Sequence, residues 1–116
     1  MTHISAEQDV VTLINVFTVS PEDRQRLVEL LIEATEDVIS RQPGYVSANI
    51  HTSLDGTQVT NYAQWRSRED FEAMLEIPEA QAHMREASKL AGIHPQLYEV
   101  ACTHTLHSHA NLSASR

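Results

Sequence analysis

The chain has 116 residues, a formal net charge of −8, 41% apolar residues and one cysteine. That length sets a single domain with one sizeable core, and the charge argues against nucleic acid and anionic membranes as partners. A lone Cys102 allows no internal disulfide, which fits a reducing cytoplasm, and no apolar run approaches the ~20 residues of a membrane span.

Residues 1–9 read as an N-terminal arm without the basic start and apolar segment of a signal peptide. The single domain is expected over 10–106, and 107–116, rich in Ser, His and Ala, as a flexible C-terminal tail. Gly44, Gly56 and Gly92 each fall at an expected turn, so no phosphate-cradling loop is present. There is no cysteine cluster for iron–sulfur or structural zinc.

Residues 10–19 alternate as a strand. Val11, Leu13, Asn15, Phe17 and Val19 share one face, and Val10, Thr12, Ile14, Val16 and Thr18 the other. Both faces are largely apolar, which predicts a central strand covered twice. Ser20-Pro21-Glu22-Asp23 is expected to open a helix, with Ser20 as N-cap and Pro21 at its first position. Leu27, Leu30, Leu31, Ala34 and Val38 form its apolar stripe, and Pro43-Gly44 stops it.

A second strand is predicted over 45–53, with Val46, Ala48, Ile50 and Thr52 on one side. Asp55-Gly56 is a hairpin signal. A two-residue turn there would pair Thr52 with Val59, Ile50 with Asn61, Ala48 with Ala63 and Val46 with Trp65. The third strand, 57–66, turns Val59, Asn61, Ala63 and Trp65 to the apolar side. Ser67 caps a short helix over 68–76 with Phe71, Met74 and Leu75 inward. Pro78 opens another over 79–90, ended by Gly92. A last strand is expected over 97–106, with Tyr98, Val100, Cys102 and His104 inward.

This order predicts an α+β fold. It is a ferredoxin-like four-stranded antiparallel sheet with helices on one face. Strand one then lies beside strand three, and Asn15 and Asn61 become neighbours under the helices. A buried amide without a partner costs about 1–3 kcal/mol, so either the fold or a ligand must satisfy it. Two amides in a greasy chamber suit an apolar ligand carrying a few oxygens. The opposite sheet face, with Val10, Ile14, Val16, Tyr45, Tyr62, Leu97 and Ala101, is apolar enough to predict a homodimer packed sheet against sheet. His51 falls on that face. His104, His107 and His109 could in principle share a metal, but no carboxylate accompanies them, and no metal site is expected.

The segment His51-Thr-Ser-Leu-Asp-Gly-Thr-Gln-Val-Thr-Asn-Tyr-Ala-Gln-Trp-Arg-Ser resembles the antibiotic biosynthesis monooxygenase family. The Pro-Gly-Tyr before the second strand and the Met-Arg-Glu-Ala of the last helix extend the likeness over about residues 10–100. It is most similar to small oxygenases that turn aromatic polyketide anthrones into quinones. The resemblance implies a dimeric α/β barrel, no metal or flavin, molecular oxygen as co-substrate and a small aromatic substrate. It implies catalytic roles for Asn61, Trp65 and Arg85. Asn61 would face the substrate enolate oxygen or a peroxide, Trp65 would stack and donate its indole N–H, and Arg85 would hold an anionic form. Asn15, Phe71, Met74 and Tyr98 are expected to line the substrate site. A family tyrosine linked to proton transfer aligns with Phe71, and Tyr98 or a water would have to replace it.

Plain alternatives remain at each position. Asn61 could be a satisfied structural amide, Trp65 core, Arg85 a surface partner of Glu86, and Cys102 simple packing. Two rival functions also remain. Haem degradation would use Asn15 and His83, but Met74 stands where haem-degrading relatives keep an aromatic residue. The other is a non-catalytic small-ligand-binding dimer.

Overall fold

The computed structural model describes residues 1–106. Strand β1 (Val11–Val19) forms the middle of the sheet, because both of its faces carry side chains that water disfavours. It pairs antiparallel with β3 (Gln58–Trp65) on one side and β4 (Ala91–Tyr98) on the other, and β2 (Tyr45–Thr52) lies outside β3. The strand order is β2-β3-β1-β4. Helices α1 (Arg24–Asp37), α2 (Arg68–Leu75) and α3 (Pro78–Ser88) supply the cover. The expected ferredoxin-like sheet is therefore present.

The α1 stripe is buried as predicted, through Leu27, Leu30, Leu31, Ala34 and Val38. Its start differs from the expectation. The helix begins at Arg24, because Ser20 to Asp23 close a turn of their own: the Asp23 N–H donates to the Ser20 carbonyl at 3.0 Å. The Ser20 hydroxyl donates to the Asp23 carboxylate at 3.1 Å rather than capping the helix. Ser67 does cap α2, accepting from the Asp70 N–H at 3.1 Å.

The β2–β3 hairpin keeps the predicted register from Thr52↔Val59 through Ile50↔Asn61 to Ala48↔Ala63. Beyond it a bulge intervenes. Ser47 pairs with Gln64 and Tyr45 with Trp65, so Tyr45 turns under the helices and Val46 turns out to 43% exposure. Both positions reverse the reading from strict alternation.

The last strand also differs. It runs from Ala91 to Tyr98, not 97–106. Gly92 reads as a helix stop in sequence, but it lies inside β4 together with Pro95, and β4 is an edge strand, where a missing N–H is tolerated. Leu13↔Leu97 and Thr12↔Tyr98 fix its parity. Leu97 therefore faces the core and Tyr98 the opposite side. Cys102 and His104 lie past the strand and are exposed. His107, His109 and the predicted tail fall outside the described residues.

The outer sheet face keeps Ile14, Val16 and Tyr62, but Tyr45 and Leu97 have left it. The N-terminal arm crosses part of it. The Thr2 hydroxyl accepts from Asn49 at 2.6 Å, and the His3 carbonyl accepts from the Gln64 amide at 2.6 Å. Ser47 donates to the other end of Gln64 at 2.9 Å, so this fully buried amide is satisfied.

The core beneath the helices comes in two parts. One gathers Leu13, Ala63, Trp65, Phe71, Met74 and Ala80. The other gathers Phe17, Val19, Leu27, Leu30, Val59 and Ala87. On β1 the residue between Leu13 and Phe17 on this face is Asn15, and on β3 the residue between Val59 and Ala63 is Asn61. A row of amides therefore divides the apolar interior.

Candidate active site

A cavity of about 330 Å³ lies between the inner sheet face and the helices. That volume is within the range of small-molecule sites. Leu13, Asn15 and Phe17 from β1 and Asn61, Ala63 and Trp65 from β3 form its floor. Leu31, Ala34 and Thr35 of α1, Phe71 and Met74 of α2, and His83 and Met84 of α3 close it from above. Among the described residues its lining includes no Asp, Glu, Lys or Arg.

Asn15 and Asn61 are cross-strand partners. Asn15 is 6% exposed. The Oδ1 atoms of both are buried without a hydrogen-bond partner among the described residues. Each such orphan costs about 1–3 kcal/mol, and a carboxamide both accepts and donates. The reading of Asn61 as a satisfied structural amide does not hold. The two side chains present unused hydrogen-bonding capacity to an apolar space.

Trp65 is 1% exposed, so it belongs to the core as well as to the cavity wall. Its ring meets Tyr45 edge-on at 5.8 Å and 88°, and Phe71 at 6.1 Å and 65°. Burial raises the Tyr45 phenol above its ordinary 10.0, so it stays protonated and able to donate. Sequence reasoning placed Tyr45 on the outer face; only the bulge brings it into the cavity wall.

Of the residues expected to bind substrate, Asn15, Phe71 and Met74 line the cavity. Tyr98 does not. Its parity on β4 turns it to the other face, where it is 46% exposed. Arg85 is also outside the lining. It is exposed near the end of α3, and Glu86, its suggested acidic partner, is bound instead by Lys89 at 2.8 Å. His51 is exposed and pairs with Thr60 on the outer face, as strand parity indicates. Among the described residues no group of three His, Cys, Asp or Glu side chains could hold a metal ion.

His83 was singled out in sequence only for a haem reading. In the fold it joins the cavity wall. Its Nδ1 lies 2.9 Å from the Glu79 carbonyl and its Nε2 3.4 Å from Glu33 Oε1.

A family profile described as "Antibiotic biosynthesis monooxygenase" matches residues 10–86. The tetracenomycin-F1 monooxygenase of Streptomyces glaucescens is 52% identical over 83 residues, covering 72% of this chain and 74% of that protein. The monooxygenase from the gene ActVA-Orf6 of Streptomyces coelicolor, solved in complex with nanaomycin D, superimposes with a TM-score of 0.71. It is 29% identical, over 84% of this chain and 92% of that one. SnoaB of Streptomyces nogalater, a cofactor-independent oxygenase, superimposes with a TM-score of 0.70 at 25% identity, over 83% of this chain and 97% of that one.

Proposed function

The chain belongs to the antibiotic biosynthesis monooxygenase family, and from that premise we propose that its cavity is the site where an aromatic polyketide is oxidised by molecular oxygen. The protein is a monooxygenase of the cofactor-independent kind, acting on an anthrone- or phenol-like ring system to give a quinone. The observation that carries the site assignment is the pair of unpartnered amides, Asn15 and Asn61, inside a largely apolar hollow.

The chemistry follows from the substrate class. An anthrone is acidic at its central carbon. Loss of that proton gives an electron-rich enolate, which passes one electron to O2. The two radicals combine to a peroxide, and loss of water leaves the quinone. Carbon is oxidised and O2 reduced, so no resident redox group is required. The protein must hold the enolate oxygen, stabilise the peroxide and exclude bulk water. In a dry site one well-aimed donor can be worth roughly 3–4 kcal/mol. Asn61 and Asn15 address the substrate oxygens, and Trp65 stacks on the ring and offers its indole N–H. Phe71 and Met74 shape the apolar wall. Tyr45, whose hydroxyl stays protonated, adds a donor beside Trp65. Arg85 acts on the reaction only if substrate or a second subunit reaches its exposed flank.

A homodimer packed through the outer sheet face completes this reading. Ile14, Val16 and Tyr62 on that face support it; a single-chain mass by light scattering at micromolar concentration would refute it. No helix among the described residues is long and apolar enough to cross a membrane, and we assign the enzyme to the cytoplasm on the cysteine usage noted above.

The test is O2 uptake with an anthrone in chelator-treated buffer, followed with quinone absorbance. Uptake matched by quinone formation supports the reading. Binding without O2 uptake would make the protein a ligand carrier instead.

A further inference from the structure

The row of amides crosses the middle of the cavity rather than one end of it. Asn15 and Asn61 face each other on β1 and β3. One step along the inner face lies the pair Leu13 and Ala63, and one step the other way the pair Phe17 and Val59. Each step is two residues, about 7 Å along the strand. The first pair belongs to the apolar cluster that holds Trp65 and Phe71, the second to the cluster that holds Leu27 and Leu30. The cavity touches both clusters: Trp65 and Phe71 line it on one side of the row, Phe17 and Leu30 on the other. It therefore has two apolar wings and a polar waist.

Helix α3 roofs both wings with alanines. Ala80 packs into the first cluster and Ala87 into the second, at 5% and 1% exposure, and both line the cavity. They sit two turns apart, about 10 Å along the helix, with His83 and Met84 between them on the lining. A larger side chain at either position would fill the space beneath it. Small residues alone define no site. Here they flank Asn15, which is 6% exposed and whose Oδ1 has no partner among the described residues.

We propose that Ala80 and Ala87 are specificity-determining residues, and that the site takes a linear fused-ring ketone whose oxygen sits on an inner ring, with one outer ring in each wing. This rests on the oxygenase reading above and narrows its substrate from any phenol-like ring to a polycycle flanked on both sides. The amides can bond only an oxygen that lies at the waist. An oxygen on a terminal ring would leave one wing empty and forfeit the burial that wing offers. A bent ring system would meet the wall of a wing instead of entering it. With an inner-ring ketone at the amides, the carbon across that ring also lies at the waist, which fixes the position that is oxidised.

The experiment titrates xanthone, a linear three-ring ketone, and chromone, its two-ring counterpart, against wild type, Ala80→Val, Ala87→Val and the double variant. Neither ligand has an acidic carbon to oxidise, so binding is read apart from turnover, through the fluorescence of the sole tryptophan, Trp65. Wild type should hold xanthone roughly tenfold more tightly than chromone, the return on one more buried ring. Each single variant should weaken xanthone roughly tenfold, because one outer ring loses its wing. Chromone has one outer ring and can turn to the wing left open. It should stay within about twofold of wild type in each single variant, the cost of losing one of two orientations, and be released only by the double variant. A single variant that leaves xanthone binding unchanged, or that weakens both ligands alike, overturns the proposal. If a valine variant does not fold, the wild type decides alone: a linear benzoxanthone should bind more tightly than its angular isomer, and equal affinities overturn the proposal. A wild type that binds xanthone as described but takes up no O2 with an anthrone overturns the oxygenase reading and leaves the two-winged site standing.

Discussion

Asn15 of β1 and Asn61 of β3 sit directly opposite one another in the sheet, and neither amide oxygen finds a partner among the described residues. They occupy the one row of the inner face that separates two apolar clusters. Folding alone does not reward that arrangement, since a leucine in either place would join the clusters. The row makes physical sense as capacity held open for a guest with oxygen atoms.

Replacing such an orphan should therefore help stability while harming function. Asn15→Leu is expected to stabilise the fold by about 1 kcal/mol, the low end of the cost of an unpaired buried polar group, and to slow quinone formation. Thermal midpoints and initial rates measured on the same preparation check both directions. A destabilised yet fully active variant would contradict the reading.

Trp65→Phe keeps an aromatic ring against Tyr45 and Phe71 but removes the indole N–H. We expect quinone formation to slow by roughly tenfold or more, as for a lost donor in a dry site, in a protein that still folds cooperatively. In the wild type, adding an aromatic polyketide should quench Trp65 fluorescence, because its ring forms part of the cavity wall.

Gly44 has φ +84°, and a Cβ there would collide with the Asp70 side chain. Its carbonyl also accepts the Arg66 N–H at 2.7 Å. Gly44→Ala should destabilise the fold by about 2 kcal/mol or more through strain and clash together. Denaturant midpoints measure it. Because Asp70 lies next to Phe71, the variant should also weaken ligand binding.

Acid sensitivity has a local source at the β2–β3 turn. The Ser53 hydroxyl, then the Thr57 hydroxyl and N–H, hold the Asp55 carboxyl down to about 2, from an ordinary 3.8. A carboxylate with a depressed folded value contributes stability above its unfolded pKa and loses it as pH falls through the folded one. The hairpin contribution should therefore be complete above about pH 4 and fade towards pH 2. Asp55→Asn should flatten the dependence of the thermal midpoint across that window. An unchanged slope would remove Asp55 as the cause.

Much of this fold was legible in the sequence. Alternation along 10–19 located the central strand, and the Asp55-Gly56 turn fixed a register that held from Thr52 to Ala48. Together these placed Asn15 beside Asn61. What failed did so for identifiable reasons. A one-residue bulge at Val46 has no sequence signature, so Tyr45 was put on the wrong face. Taking Gly92 as a helix stop hid the edge strand that contains it, and this displaced Tyr98 from the site and concealed Leu97 within it. Arg85 came from likeness alone, and helix α3 turns it outward. His83 meets Glu33 of α1, a relationship no local pattern could show.

The central claim is that the paired amides serve the reaction rather than the fold. The most direct measurement is O2 consumption and quinone formation by the Asn15→Ala/Asn61→Ala double variant beside the wild type. We predict that the wild type consumes one O2 for each quinone formed, while the double variant folds, still quenches Trp65 fluorescence with substrate, and turns over at a small fraction of the rate. A folded double variant working at the wild-type rate would contradict the account.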